Sequence, residues 1–208
     1  MTEHHPFWRS AEPLILASSS PARARMLVSV GLPIETDPAD VDERTLESEL
    51  VVRGAHAPTV ALGLARAKAR TVSLRRPGRL VLGADQVLAL GDERFAKAPD
   101  QSVAFNNLKR LSGKQHALHS AFALVRDGDF VGDGVETATL VMRDMSDEFL
   151  QHYMETAGSV ATATVGGYQL ESIGAQLFQR VEGDYFTVLG LPLLRVLSEL
   201  RRIGALAA

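Results

Sequence analysis

The sequence predicts an α/β protein: a mixed sheet flanked by helices, in two lobes around a deep cleft. Three observations point there. Short apolar runs, turn signals and helical periodicities alternate along the 208 residues. One pair of alternating stretches, on either side of Asp127-Gly128-Asp129, interrupts that order with a hairpin signature. The composition, 46% hydrophobic and 23% charged, is that of a globular chain, and there is no internal repeat or low-complexity segment.

Taken in order, residues 1–12 read as a loose leader, and residues 13–204 as one domain. Leu14-Ile15-Leu16-Ala17 reads as a buried strand. Ser18-Ser19-Ser20-Pro21 ends it and opens a helix over 21–30, with serine as cap, proline in the first turn and Gly31 as the stop. Ile34-Glu35-Thr36 suggests a second strand. Residues 58–74 carry Val60, Leu64, Ala67 and Val72 roughly on one helical face, and residues 80–90 read as a strand throughout. Gly91-Asp92 marks a turn, and 100–112 a helix ending at Gly113. The hairpin strands span 116–125 and 130–142. A helix capped by Ser146 covers 146–156, and the last runs from Pro192 to about Arg202.

Composition excludes several classes. The net charge of -3 supplies no basic field for nucleic acid. Without cysteine there are no disulfides and no thiolate metal sites. No basic-then-apolar leader and no run of eighteen apolar residues is present, so neither a signal peptide nor a membrane span is expected, and the expected location is the cytoplasm. The six histidines, His4 and His5 among them, lack HExxH spacing, and no GxSxG or Walker A sequence occurs.

Five segments carry candidate chemistry. Ser18, Ser20 and Arg23, at a strand-to-helix turn, offer hydroxyls, a helix N-terminus and a cation to phosphate; a plain cap is the blander account. Asp40-Val41-Asp42-Glu43 is either a carboxylate source for a divalent ion or an acidic surface loop. Asp85 lies in an apolar strand, where an ionised carboxylate is costly unless paired or facing a cleft. Lys68 and Lys97 are phosphate ligands or solvated lysines. Gly166-Gly167-Tyr168-Gln169-Leu170-Glu171 lets backbone approach a ligand, with Glu171 able to accept from a base edge, or is a simple turn.

In order, these segments resemble the Maf family of nucleotide pyrophosphatases, from about residue 13 to 202. Ser18-Ser19-Ser20-Pro21-Ala22-Arg23 is similar to its S-x-S-P-R-R opening, and Val41-Asp42-Glu43 to its acidic segment. Leu64 to Ala69 resembles its L-A-x-x-K-A helix, and Gly83-Ala84-Asp85-Gln86-Val87 its G-[AS]-D-[TQ]-V strand. Leu111-Ser112-Gly113 with His116 resembles its L-S-G-x-x-H element, and Glu182-Gly183-Asp184-Tyr185 through Leu193 its closing E-G-D-Y … V-x-G-L-P-L.

The resemblance implies a fold similar to inosine triphosphate pyrophosphatases. It also implies hydrolysis of a nucleoside triphosphate to a monophosphate and pyrophosphate, with Mg²⁺ or Mn²⁺. It makes Asp85 the proton acceptor, with Ser18, Ser20, Arg23, Lys68 and Lys97 on phosphate and Glu43 and Asp85 on metal. Two positions depart from the pattern: Ala22 replaces the first arginine, and Ala96-Lys97-Ala98 replaces G-K-P. Ala22, Gln86 and Glu171 align with positions separating family branches. The dTTP/UTP branch has arginine, threonine and glutamine there; the 7-methyl-GTP branch has tryptophan, glutamine and glutamate. The chain matches the latter at Gln86 and Glu171 and neither at Ala22. The partners expected are the nucleotide and, as an open option, a second copy in a homodimer; nucleic acid and membrane are not expected. Rival readings are a dTTP/UTP pyrophosphatase and a non-enzymatic nucleotide-binding regulator of septum formation.

Overall fold

The structure, a computed structural model, describes residues 6–208. Seven strands form one mixed sheet: β1 (Leu14–Leu16), β2 (Ile34–Thr36), β3 (Val81–Leu90), β4 (Glu93–Phe95), β5 (Gln115–Arg126), β6 (Asp129–Met142) and β7 (Phe178–Glu182). Their order is β2-β1-β3-β5-β6-β7, with β4 paired to the end of β3. β1 is parallel to β2 and β3, and the remaining pairs are antiparallel. The expected mixed sheet is thus observed. The β5–β6 loop consists of Asp127 and Gly128, at φ 53° and 85°. Two such residues match the right-handed twist of the flanking strands.

The helices are α1 (Pro21–Ser29), α2 (Glu43–Val52), α3 (Ala57–Arg75), α4 (Gln101–Leu111), α5 (Asp147–Ala157), α6 (Val160–Ala163), α7 (Tyr185–Val188) and α8 (Leu193–Arg202). Strand alternation sorts them. Leu14, Leu16, Leu82, Ala84, Phe122 and Leu124 face α1 and α8 through Met26, Leu27, Leu193, Val196 and Leu200. Ile15, Val81, Ala123 and Val125 face α3 through Ala69 and Val72. A separate core gathers Leu88, Leu118 and Leu140 with Leu108 and Leu111 of α4 and Leu150 and Met154 of α5. The first two cores, on opposite faces of the sheet, make one lobe and the third makes the other, and β3, β5 and β6 run through both.

Three parts differ from expectation. The leader is not loose where it is described: Trp8 bridges Leu206, is buried in the first core, and donates its indole N–H to Glu12 O at 3.0 Å. Residues 1–5, with His4 and His5, lie outside the described residues. The acidic segment opens a helix instead of staying a loop: the Asp42 carboxylate accepts from the Thr45 N–H at 3.1 Å, and Glu43 begins α2. That helix has no fully buried residue, so its apolar periodicity is faint in sequence. The edge strand β7 and the short α6 and α7 were also not foreseen. β7 is exposed over most of its length and lacks the apolar alternation of a half-buried strand.

No helix among the described residues is long and apolar enough to cross a membrane.

Candidate active site

Alternation along β3 sends Asp85 and Gln86 to opposite faces. Asp85 faces α3, which lies close because Gly83 has no side chain: a Cβ there would sit 2.3 Å from Ala65 O and 2.6 Å from Ala69 N. The close approach brings Lys68, on α3, against the strand. Its Nζ is 2.6 Å from Asp85 Oδ1 and 2.9 Å from Glu43 Oε1. Lys68 and Asp85 are buried, while Glu43 reaches them from the exposed start of α2. Asp85 thus sits mid-strand and ion-paired; it caps no helix.

Burial pushes the Asp85 carboxyl above its ordinary range, and the nearby Glu43 adds to this. The Lys68 and Arg23 charges and the Lys68 hydrogen bond oppose the shift without cancelling it. Among the described residues only Oδ1 takes a protein hydrogen bond, which leaves Oδ2 for a ligand or water.

Arg23 lies on the same floor. Its Nε donates to Gly190 O at 2.8 Å, and its Nη1 to Ala84 O at 2.9 Å and Ser18 Oγ at 3.1 Å. Burial pulls its pKa down, against the charges of Asp85 and Glu43; a guanidinium stays protonated regardless. Ser18 Oγ also accepts from the Ser20 N–H, so its own hydrogen is left to donate. Ser20 is the α1 cap, accepting from the Arg23 N–H at 3.4 Å.

Gln86 points the other way. Its amide nitrogen donates to Ser120 Oγ at 3.0 Å, Thr187 O at 3.1 Å and Val188 O at 3.0 Å. Two of these partners are carbonyls that can only accept, so the amide is fixed with its oxygen outward. Gly190, at φ 101°, turns the chain beside Gln86 Oε1 and Arg23. The segment from Asp184 to Gly190 therefore holds both side chains, a role the sequence reading did not assign to Ser120, Thr187 or Gly190.

A cleft of about 740 Å³ opens over this floor. Ser18, Ser20, Ala22, Arg23, Glu43, Lys68, Asp85, Gln86, Lys97 and Glu171 all line it. Sequence-distant candidates therefore share one cavity. Lys97 and Glu171 are exposed at its rim and make no ion pair among the described residues. Arg25 and Arg44 also line it and were missed. Helical spacing from Ala22 would have indicated the first. The second depended on α2, which was not foreseen.

Tyr168, another lining residue, is tied to buried His116, whose Nε2 lies 2.7 Å from the tyrosine oxygen. Among the described residues no group of three or more His, Cys, Asp or Glu side chains is placed to hold a metal ion.

A sequence profile of the Maf-like protein family matches residues 13–203. A 7-methyl-GTP pyrophosphatase from Mesorhizobium japonicum is 51% identical over 195 residues, covering 94% of this chain and 98% of that protein. A nucleoside triphosphate pyrophosphatase from Nitrobacter winogradskyi is 47% identical over 196 residues, covering 93% and 95%. Among solved structures, a HAM1 protein from Coxiella burnetii is similar over 62% of this chain and 72% of that one, at 18% identity and a TM-score of 0.36.

Proposed function

The chain belongs to the Maf-like protein family, and from that premise we propose that it is a nucleoside triphosphate pyrophosphatase, yielding a nucleoside monophosphate and pyrophosphate. The observation that carries this reading is the floor of the cleft, where a buried carboxylate, Asp85, meets the cations Lys68 and Arg23 beneath a cavity large enough for a nucleotide.

Phosphoryl chemistry is mostly positioning and charge neutralisation. Water attacks the α-phosphorus, the bond to the bridging β-oxygen breaks, and pyrophosphate leaves with the electron pair. The proton of the attacking water passes to Asp85. A carboxyl raised by burial is a better base than an ordinary aspartate, since catalytic bases work best near the operating pH. Lys68 fixes Oδ1 and so orients Oδ2. Ser18 and Arg23 offer donors to phosphate oxygens, and Lys97 adds a mobile charge at the rim.

Asp85 and Glu43 both reach one cation, the Lys68 ammonium, and present only hard oxygen donors. That pair suits Mg²⁺ or Mn²⁺, which take one or two protein carboxylates and complete their shell with water and phosphate. When bound, such an ion neutralises phosphate charge and acidifies bound water.

The base preference follows from acceptors. Gln86 offers an oxygen and Glu171 a carboxylate, so a guanine edge, with its N–H and amino donors, suits them better than uracil or thymine. A guanine methylated at N7 is also cationic, which a carboxylate favours. This supports a 7-methyl-GTP-type substrate, the activity named for the Mesorhizobium relative, over dTTP or UTP. A cytoplasmic location, with no nucleic-acid partner, belongs to the same reading. The test is pyrophosphate release from GTP, 7-methyl-GTP, CTP, UTP and dTTP with Mg²⁺ or Mn²⁺. Release from none of them would overturn it.

A further inference from the structure

The cations on the floor of the cleft are already engaged. Arg23 commits Nε and Nη1 to Gly190, Ala84 and Ser18, and Lys68 lies between two carboxylates. With Asp85 ionised, the floor charges of Arg23, Lys68, Asp85 and Glu43 sum to zero. A triphosphate brings several negative charges, more than the remaining Nη2 of Arg23 and one divalent ion balance, so further cations of the cleft are called for.

Three cations line the same cleft with side chains in no hydrogen bond or ion pair among the described residues: Lys97, Arg25 and Arg44. Lys97 is part of the reading above. Arg25 lies three residues after Ala22 on α1, on the same helical face, and Ala22 puts only a methyl group between it and the Ser18–Ser20 turn. Arg44 directly follows Glu43 in the first turn of α2, so it sits beside the residue that touches Lys68. Neither nearby carboxylate forms an ion pair with Arg44: Asp42 feels its charge but spends its oxygens capping α2 through Thr45, and Glu47 pairs with Arg94. Guanidinium groups present forked donors that match phosphate oxygens in pairs.

We propose that Arg25 and Arg44 bind the terminal phosphates of the substrate and hold the pyrophosphate as it leaves. The proposal rests on the triphosphate reading of the cleft. It assigns these residues to the tail, so they contribute to every substrate alike and not to base choice. It also makes affinity for the tail sensitive to salt, because both groups are exposed.

The experiment is calorimetric titration of the full chain with inorganic pyrophosphate, then with the nucleoside monophosphate product. It uses wild type, R25A, R44A, R44K and the double alanine variant. Neither side chain makes a hydrogen bond or ion pair among the described residues, so the thermal midpoints stay at the wild-type value. Each alanine variant is expected to bind pyrophosphate about tenfold more weakly, R44K less so, and the double variant most weakly. Monophosphate binding stays unchanged. The proposal is overturned by undiminished pyrophosphate binding in the double variant, by an equal loss for the monophosphate, or by no pyrophosphate binding in wild type. Failure of wild type to release pyrophosphate from any triphosphate would instead sink the pyrophosphatase reading, and the titration still decides this one.

Discussion

Gly83 lies directly beneath the carbonyl of Ala65, so close that a Cβ on the strand would stand 2.3 Å from that oxygen. The contact is between backbone and backbone, so no side-chain rotation relieves it. Gly83→Ala is expected to push α3 off the sheet, destabilising the protein by about 1–3 kcal/mol, the usual cost of overpacking. Because Lys68 rides on the same helix, turnover falls as well. Denaturation and steady-state rates check both. A variant with wild-type stability and rate would show that α3 does not need this close approach.

Asp85→Asn keeps the size of the side chain and removes the base. Turnover is expected to drop by about 10²–10⁴-fold with the fold intact. In wild type the acid limb of kcat/KM should lie at higher pH than an ordinary aspartate gives, since burial raises this carboxyl from 3.8. Activity is lost as pH falls through that raised value, because protonation removes the base. A pH–rate profile measures it, and the Asn variant should lack the limb.

His116 gives a stability prediction. Burial lowers its imidazole from 6.5 to about 4. Below pH 6.5 the unfolded chain takes up a proton that the folded chain refuses until about pH 4. Stability is therefore complete above 6.5 and declines as pH falls toward 4, by about 3 kcal/mol. Urea titrations at pH 7, 5 and 4 on wild type and His116→Gln should show the difference between them shrinking. A difference independent of pH would exclude this histidine as the cause.

Arg23→Ala and Lys97→Ala should each lower kcat/KM for every nucleotide, whichever base it carries. Only the first should also lower the thermal midpoint. Arg23 ties α1 to Ala84 and Gly190, whereas Lys97 makes no ion pair among the described residues. Loss confined to one base would contradict a phosphate role for either.

Glu171→Gln should change the ranking among nucleotides, not the general rate. An amide in place of the carboxylate can meet the carbonyls of uracil and thymine, and loses its attraction for a cationic purine. The check is kcat/KM for 7-methyl-GTP, GTP, UTP and dTTP. An unchanged order would remove Glu171 from base recognition.

The strands that bury both faces, β1 and β3, and the hairpin with its Asp127-Gly128 turn were legible because period and turn chemistry agree there. α3, α4, α5 and α8 were legible from caps and apolar periodicity. α2 and β7 were not, because little of either is buried and exposed elements leave little pattern. Asp85 stood out as a charge in an apolar strand, but its pairing with Lys68 depends on the helix lying over that strand, a tertiary fact. The fixed outward face of Gln86 depends on carbonyls of Thr187 and Val188, a hundred residues away, and backbone carbonyls have no letter in a sequence.

β3 and β5 stay in register without a break from Val81 opposite Val125 to Ala89 opposite Ala117, straight through the position of Asp85. The two lobes are therefore joined by a ladder of main-chain hydrogen bonds, not by a flexible hinge. Opening them apart would shear that ladder. Along these two strands the spacing of the lobes is held by main chain, which no change of side-chain rotamer can alter.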